Sequence, residues 1–261
     1  MQEVLERLMG PQDEYRGMVS ATGSAGTIAS GDFMKQLFPA SKIVASEALQ
    51  CPTLLENGFG AHRIEGIGDK HVPWIHNVKN TDFIAAIDDN AVVSLARLFN
   101  EPAGQAYLAS LGVTDALIAS LDLLGFSGIS NILSAIKLAK YYEMDENDVV
   151  LTVLTDSMAL YRSRLAELSQ EHGSYTERDA AADCARWLHG QSTDHLLELT
   201  YADRRRVHNL KYFTWVEQQG KTYAEIQAQW HERDYWRGVQ TQAAEIDALI
   251  EQFNAEVGLN P

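Results

Sequence analysis

Apolar positions along the first 170 residues switch between two spacings, and each switch marks a new element. Val4, Leu5 and Leu8 repeat at helical intervals until Gly10-Pro11 stops the helix. Met18-Val19-Ser20-Ala21 reads as a short buried strand. A glycine-rich turn follows at 22–27, and a helical stretch then runs to Phe38, with Pro39 just beyond. Lys42-Ile43-Val44-Ala45-Ser46 is the next strand, and 81–87 another. Asp88 or Asp89 caps a helix that reaches about Phe99, and a further helix spans 127–141. The run 148–154 is almost continuously apolar, the pattern of a strand buried on both faces of a parallel sheet. Strand followed by helix, repeated, predicts an α/β fold: a partial parallel sheet layered with helices.

The pattern changes near residue 169. From there to 261 the chain is polar, aromatic-rich and helical in period, with no convincing strand. Thr222-x-x-Glu225 directly after Gly220 reads as a capping box, so one helix stops at Gly220 and another starts. The expected organisation is an α/β part over 1–168 and a helical C-terminal tail over 169–261. Its aromatics (Tyr212, Phe213, Trp215, Trp230, Tyr235 and Trp236) are expected to pack the tail onto the α/β part or onto a second subunit.

Charge narrows the partners. Lys plus Arg number 21 against 36 Asp plus Glu, a formal net charge of −15. Such a surface repels phosphate backbones and anionic headgroups, which argues against nucleic acid and membranes. No run approaches the roughly 18–20 apolar residues of a membrane span, and the acidic start of the chain lacks a signal peptide's apolar core. Cys51 and Cys184 are far apart and fit a reducing compartment. A cytoplasmic protein is expected. His71 and His76, separated by Pro73 and Trp74, read as loop histidines, and His189 and His195 lack thiolate partners, so no metal site is expected. Asp203-Arg204-Arg205-Arg206 reads as a salt-bridged helix face.

The candidate chemistry begins in the turn. Gly23-Ser24-Ala25-Gly26-Thr27 lies between a strand and a helix, where free backbone N–H groups and the helix dipole suit a phosphate dianion. It is neither a G-x-G-x-x-G nor a Walker loop. Taken alone, such a turn serves equally well as a plain connection.

The segment Thr22-Gly23-Ser24-Ala25-Gly26-Thr27-Ile28 resembles the phosphate loop of fold type II pyridoxal-phosphate enzymes, the cysteine synthase and tryptophan synthase β-chain-like family. Four further segments resemble the family in its own order. They are Ile43-Val44-Ala45-Ser46-Glu47, Ile64-Glu65-Gly66-Ile67-Gly68 before Val72-Pro73, Gly125-Phe126-Ser127 opening a helix, and Val153-Leu154-Thr155-Asp156-Ser157 before Tyr161. Departures are Ala25 for a glycine, Gly128 for a serine, Thr155 for proline, Met158 for glycine, and an insertion around 100–118. Ser127 on its own reads as a helix N-cap.

The resemblance, which covers about residues 2–165, implies pyridoxal 5'-phosphate as cofactor. Its phosphate falls to Gly23, Ser24, Ala25, Gly26 and Thr27, with Gly66 beside it, and its pyridine nitrogen to Ser157 next to Asp156. It also implies β-elimination or β-replacement on a β-substituted amino acid, a lyase or transferase of amino acid metabolism. The family's covalent lysine sits before the phosphate loop in a Ser-x-Lys-Asp-Arg-like context. The lysines here, at 35, 42, 70, 79, 137, 140, 211 and 221, have no such context. No Thr-Ser-Gly-Asn substrate loop is present either, so no catalytic residue is assigned. The sequence therefore reads as resembling the C-terminal half of such an enzyme. It is expected to form a homo-oligomer or to need a chain that supplies the N-terminal half. The alternative is a non-catalytic α/β module that binds a phosphorylated ligand or a partner.

Overall fold

The computed structural model describes residues 1–68 and 70–259. They divide into two compact units, Met1–Leu210 and Lys211 onward. In the first unit a five-stranded sheet runs in the order β4-β1-β2-β3-β5. Its strands are β1 (Glu14–Ala21), β2 (Lys42–Ala48), β3 (Phe83–Ile87), β4 (Asp148–Thr152) and β5 (Leu196–Glu198). The first four are mutually parallel, and β5 joins β3 antiparallel with Ile84 opposite Leu197.

Seven helices of this unit fix the argument: α1 (Gln2–Leu8), α2 (Gly26–Leu37), α3 (Thr53–Glu56), α4 (Asp89–Asn100), α5 (Pro102–Ser110), α6 (Asp115–Ser120) and α7 (Phe126–Tyr141). Asp88 is the N-cap of α4, its carboxylate accepting from Asn90 N. α5 and α6 occupy the expected insertion.

Side-chain alternation on the strands divides the core in two. Val19, Val44, Phe83 and Ala85 pack with Leu138 of α7. Ile43, Ala45 and Ile84 point the other way and pack with Ile28 of α2 and with Val207. Helices therefore cover both faces, as a parallel sheet requires. No single helix among the described residues is long and apolar enough to cross a membrane.

Three expectations need correction. The run 148–154 is not buried on both faces: β4 lies at the edge of the sheet, ends at Thr152, and is half-buried throughout. Apolar composition reports that a strand packs, not that it has a neighbour on each side. The tail does contain a strand, because β5 extends the sheet beyond β3. That pairing also carries the first compact unit on to Leu210, past the expected boundary at 168. Arg204 strengthens the same attachment, donating to Thr81 O at 2.7 Å and pairing with Asp82 at 3.2 Å.

The second unit is helical. Thr222 and Glu225 form the expected capping box at the start of helix Tyr223–His231, after Gly220 at φ +70°. All six tail aromatics belong to this unit. Trp230 is buried, and Trp236 Nε1 donates to Gln229 O at 3.0 Å.

At the end of β2, Glu47 is buried and accepts from Leu54 N and Leu55 N, both at 2.9 Å. It thereby caps α3. Burial nevertheless pushes its carboxyl up to about 7, against the ordinary 4.5. The folded state then holds a proton that the unfolded chain has released, so stability falls as pH rises from about 4.5 to 7. The shift corresponds to a loss on the order of 3 kcal/mol across that window. Urea denaturation at pH 5 and pH 8 is expected to show a flatter dependence in Glu47→Gln than in the unaltered chain. Equal differences in the two proteins would contradict this assignment.

Candidate functional site

The site forms where the sheet's strands end. β1 stops at Ala21, and Thr22 ties the next turn to β2, with its N and Oγ1 donating to Ser46 O at 2.8 and 3.0 Å. Ala25 is the residue before α2 and adopts φ +68°, a left-handed conformation unusual for a residue with a Cβ. Here the family's glycine is the less strained choice, and the departure to alanine is accommodated with strain. Gly26 then opens the 12-residue α2, so its free N–H groups and positive dipole end face outward from the loop. Ser20 and Thr27 close the back of the turn, their hydroxyls 2.6 Å apart.

A second loop lies against the first. Gly68 N donates to Thr22 O at 2.8 Å, and Gly66 adopts φ +80°. Together with the start of α7 and the segment after β4, the two loops enclose a cavity of about 330 Å³. Gly23, Ser24, Ala25, Gly26, Thr27 and Gly66 all line it, so the six proposed phosphate-side residues share one space. Its size is at the small end of ligand sites, which span about 300–1,000 Å³.

Nothing in the protein itself requires glycine at 26. A Cβ there would meet only Ser24 Oγ at 4.0 Å, and at Gly23 the nearest atom would be Gly66 O at 3.6 Å. The open space over the loop backbone leaves room for a phosphate to approach the N–H groups directly. None of the described lining residues carries a charge, so a bound anion would be held by backbone N–H groups, hydroxyls and the helix dipole. The residues present fit the phosphate end of pyridoxal phosphate.

The far end is arranged differently from the expectation. Thr155 and Ser127 line the cavity, whereas Asp156 and Ser157 are not among its lining residues. Ser127 is not an N-cap: Gly125 precedes α7, and Ser127 lies inside the first turn. Its hydroxyl lies 3.3 Å from Thr155 Oγ1 and donates to Asp156 Oδ1 at 3.3 Å. Tyr161 OH donates to the other oxygen, Asp156 Oδ2. The Tyr161 ring stacks on Phe126 at 4.9 Å, and burial, with Asp156 adding to it, pushes the phenol well above its usual range. Asp156 is thus tied to the protein. Ser157 is extended, at φ −132° and ψ 167°, one residue before a short 3-10 turn.

No described lining residue is a lysine. Lys35 pairs with Asp82 at 2.5 Å, and Lys137 pairs with Asp194 at 2.7 Å. One lining residue escaped sequence reasoning altogether. Asn131 follows Ser127 at i+4 on α7 and so shares its face. The signal was available in Ser127, Ser130, Asn131 and Ser134, a polar set within one helix, all of them buried.

The sequence matches known enzymes over the same region. Cysteine synthase B of Campylobacter jejuni is 28% identical over 160 residues, covering 61% of this chain and 46% of that protein. A cysteine synthase of Staphylococcus aureus is 25% identical over 169 residues, 62% of this chain and 48% of that protein. The chain therefore spans about half the length of the curated relatives it matches. No family model matches the sequence. Among solved structures, the hydrogen sulfide-producing enzyme of Fusobacterium nucleatum aligns with a TM-score of 0.50 at 23% identity. That alignment covers 70% of this chain and 48% of that one, and it supports the fold. Sequence likeness, fold and a glycine loop opening a helix agree, and over this region the chain is similar to the cysteine synthases, pyridoxal-phosphate-dependent enzymes of fold type II.

Proposed function

We propose that this chain is the cofactor-phosphate-binding portion of a cytoplasmic cysteine synthase-like enzyme acting on a β-substituted amino acid. The observation that carries the proposal is the open loop 23–27 at the start of α2, facing a cavity with room above Gly26. In this reading Gly23, Ser24, Ala25, Gly26 and Thr27 hold the phosphate, with Gly66 alongside. The pyridine nitrogen is assigned to Ser157, two residues beyond the cavity-lining Thr155, with Asp156 between them kept in place by Ser127 and Tyr161. The bound cofactor supplies an electron sink for β-elimination or β-replacement. A serine hydroxyl beside the ring nitrogen, rather than a carboxylate, leaves that sink weak and disfavours transamination.

The covalent lysine is assigned to residues other than those described, in a second chain or segment. Two features favour such a partner, or self-association. The outer edge of β4 is unpaired among the described strands. Helix Ala243–Glu256 exposes Ile246, Leu249, Ile250 and Phe253 along one stripe. That no described lining residue is a lysine also favours a second reading, a module that binds a phosphorylated ligand without catalysis.

Calorimetric titration of the chain tests the binding. One pyridoxal phosphate per chain, displaced by inorganic phosphate, is the expected outcome. Absence of binding by both compounds would remove the site.

A further inference from the structure

Two sets of residues line the cavity, and they differ in chemistry. The loop wall, 23–27, presents backbone N–H groups at a helix start and suits an anion. The second wall comes from α7 and the segment after β4, with Ser127, Asn131, Val153 and Thr155. It is neutral and polar.

Asn131 is the unexplained member of that wall. It is 3% exposed, and its Oδ1 is buried without a hydrogen-bond partner among the described residues. Its neighbours on the helix are satisfied: Ser130 lies 3.0 Å from Ser46 Oγ, and Ser134 donates to the same atom at 2.8 Å. Buried polar atoms are almost always paired, and an orphan is costly unless something else completes it. A helix position facing the core would ordinarily carry an apolar residue. The carboxamide therefore has a reason to be there only when a donor arrives through the cavity.

We propose that Asn131 binds the uncharged, hydrogen-bonding body of the phosphate-bearing ligand, while 23–27 hold its phosphate. The inference rests on the reading of 23–27 as the anion cradle. An unpaired Oδ1 calls for an O–H or N–H donor, which a phosphate dianion lacks and a hydroxylated heteroaromatic ring such as that of pyridoxal phosphate offers. The carboxamide NH2 of Asn131 can donate to a neighbouring acceptor on the same ring. Asn131 thus selects for what the phosphate is attached to, a task the loop cannot perform.

The test compares pyridoxal phosphate with inorganic phosphate on the full chain by calorimetry. In Asn131→Ala, affinity for pyridoxal phosphate is expected to fall about tenfold, the scale of one lost hydrogen bond, with phosphate affinity unchanged. Without ligand the variant is expected to melt at or above the unaltered chain, because an unpaired polar group has been removed. Asn131→Leu keeps the volume and is expected to behave the same way, should the smaller side chain disturb packing. Unchanged affinity for pyridoxal phosphate in a chain that binds both compounds overturns the inference alone. Equal losses for both compounds also overturn it, by placing Asn131 in the phosphate cradle. A wild-type chain that binds neither compound overturns the reading of 23–27, and this inference with it.

Discussion

Gly26→Asp is expected to abolish binding of both pyridoxal phosphate and inorganic phosphate. The substitution places a carboxylate at the first residue of α2, over the N–H groups assigned to the anion. Two negative charges about 4 Å apart repel by roughly 1–4 kcal/mol between bulk water and a partly screened surface. Occupation of the open space above the loop adds a steric block. Together these weaken binding about a hundredfold or more. The fold should tolerate the change, since only Ser24 Oγ lies within 4.0 Å of the added Cβ, and a carboxylate in the first turn of a helix favours the dipole. Gly26→Ala separates the two effects, because it fills space without adding charge. Calorimetry is the measurement, with a melting curve to show that the variant is folded. Undiminished affinity in Gly26→Asp would remove the loop from the account.

The second large effect concerns the sheet. Gly17 lies in β1, between β2 and β4, at the point where pairing with β4 shifts register. A Cβ there would stand 2.2 Å from the carbonyl oxygen of Lys42 on β2. The Cβ position is fixed by the backbone and the oxygen is itself a backbone atom, so no side-chain rotation relieves the clash. Gly17→Ala is therefore expected to cost about 3 kcal/mol, at the upper end of overpacking penalties. Gly10→Ala is the control, since its nearest contact is the Asp13 side chain at 3.6 Å. Urea denaturation of both variants reads the difference directly. A Gly17→Ala protein as stable as the control would mean that β1 and β2 are not apposed in the register described.

Where the sequence was legible, a local rule and the tertiary context agreed. Lys42-Ile43-Val44-Ala45-Ser46 lies within β2 because both of its faces are apolar and both are covered by helices. Asp88 caps α4, and Thr222 caps its helix, because capping depends on three or four adjacent residues. Failures came where pairing is non-local. β5 is three residues long and acquires meaning only beside Ile84, more than a hundred positions away. The run containing β4 is as apolar as a central strand, yet β4 is an edge strand among the described strands. At the site, a family pattern picked out 23–27 and Gly66, whereas Asn131 belongs to no pattern and emerges only from an unpaired atom facing a cavity.

The central claim is that this chain holds the cofactor's phosphate but does not itself provide the lysine. Borohydride reduction in the presence of pyridoxal phosphate, followed by peptide mass mapping, tests it most directly. Lys35 and Lys137 are engaged in ion pairs with Asp82 and Asp194, and no described residue lining the cavity is a lysine. The expected result is saturable binding by calorimetry, with no single lysine labelled in proportion to it and no β-elimination from O-acetylserine. One lysine labelled at one equivalent per chain, accompanied by turnover, would contradict the account and make the chain an enzyme by itself.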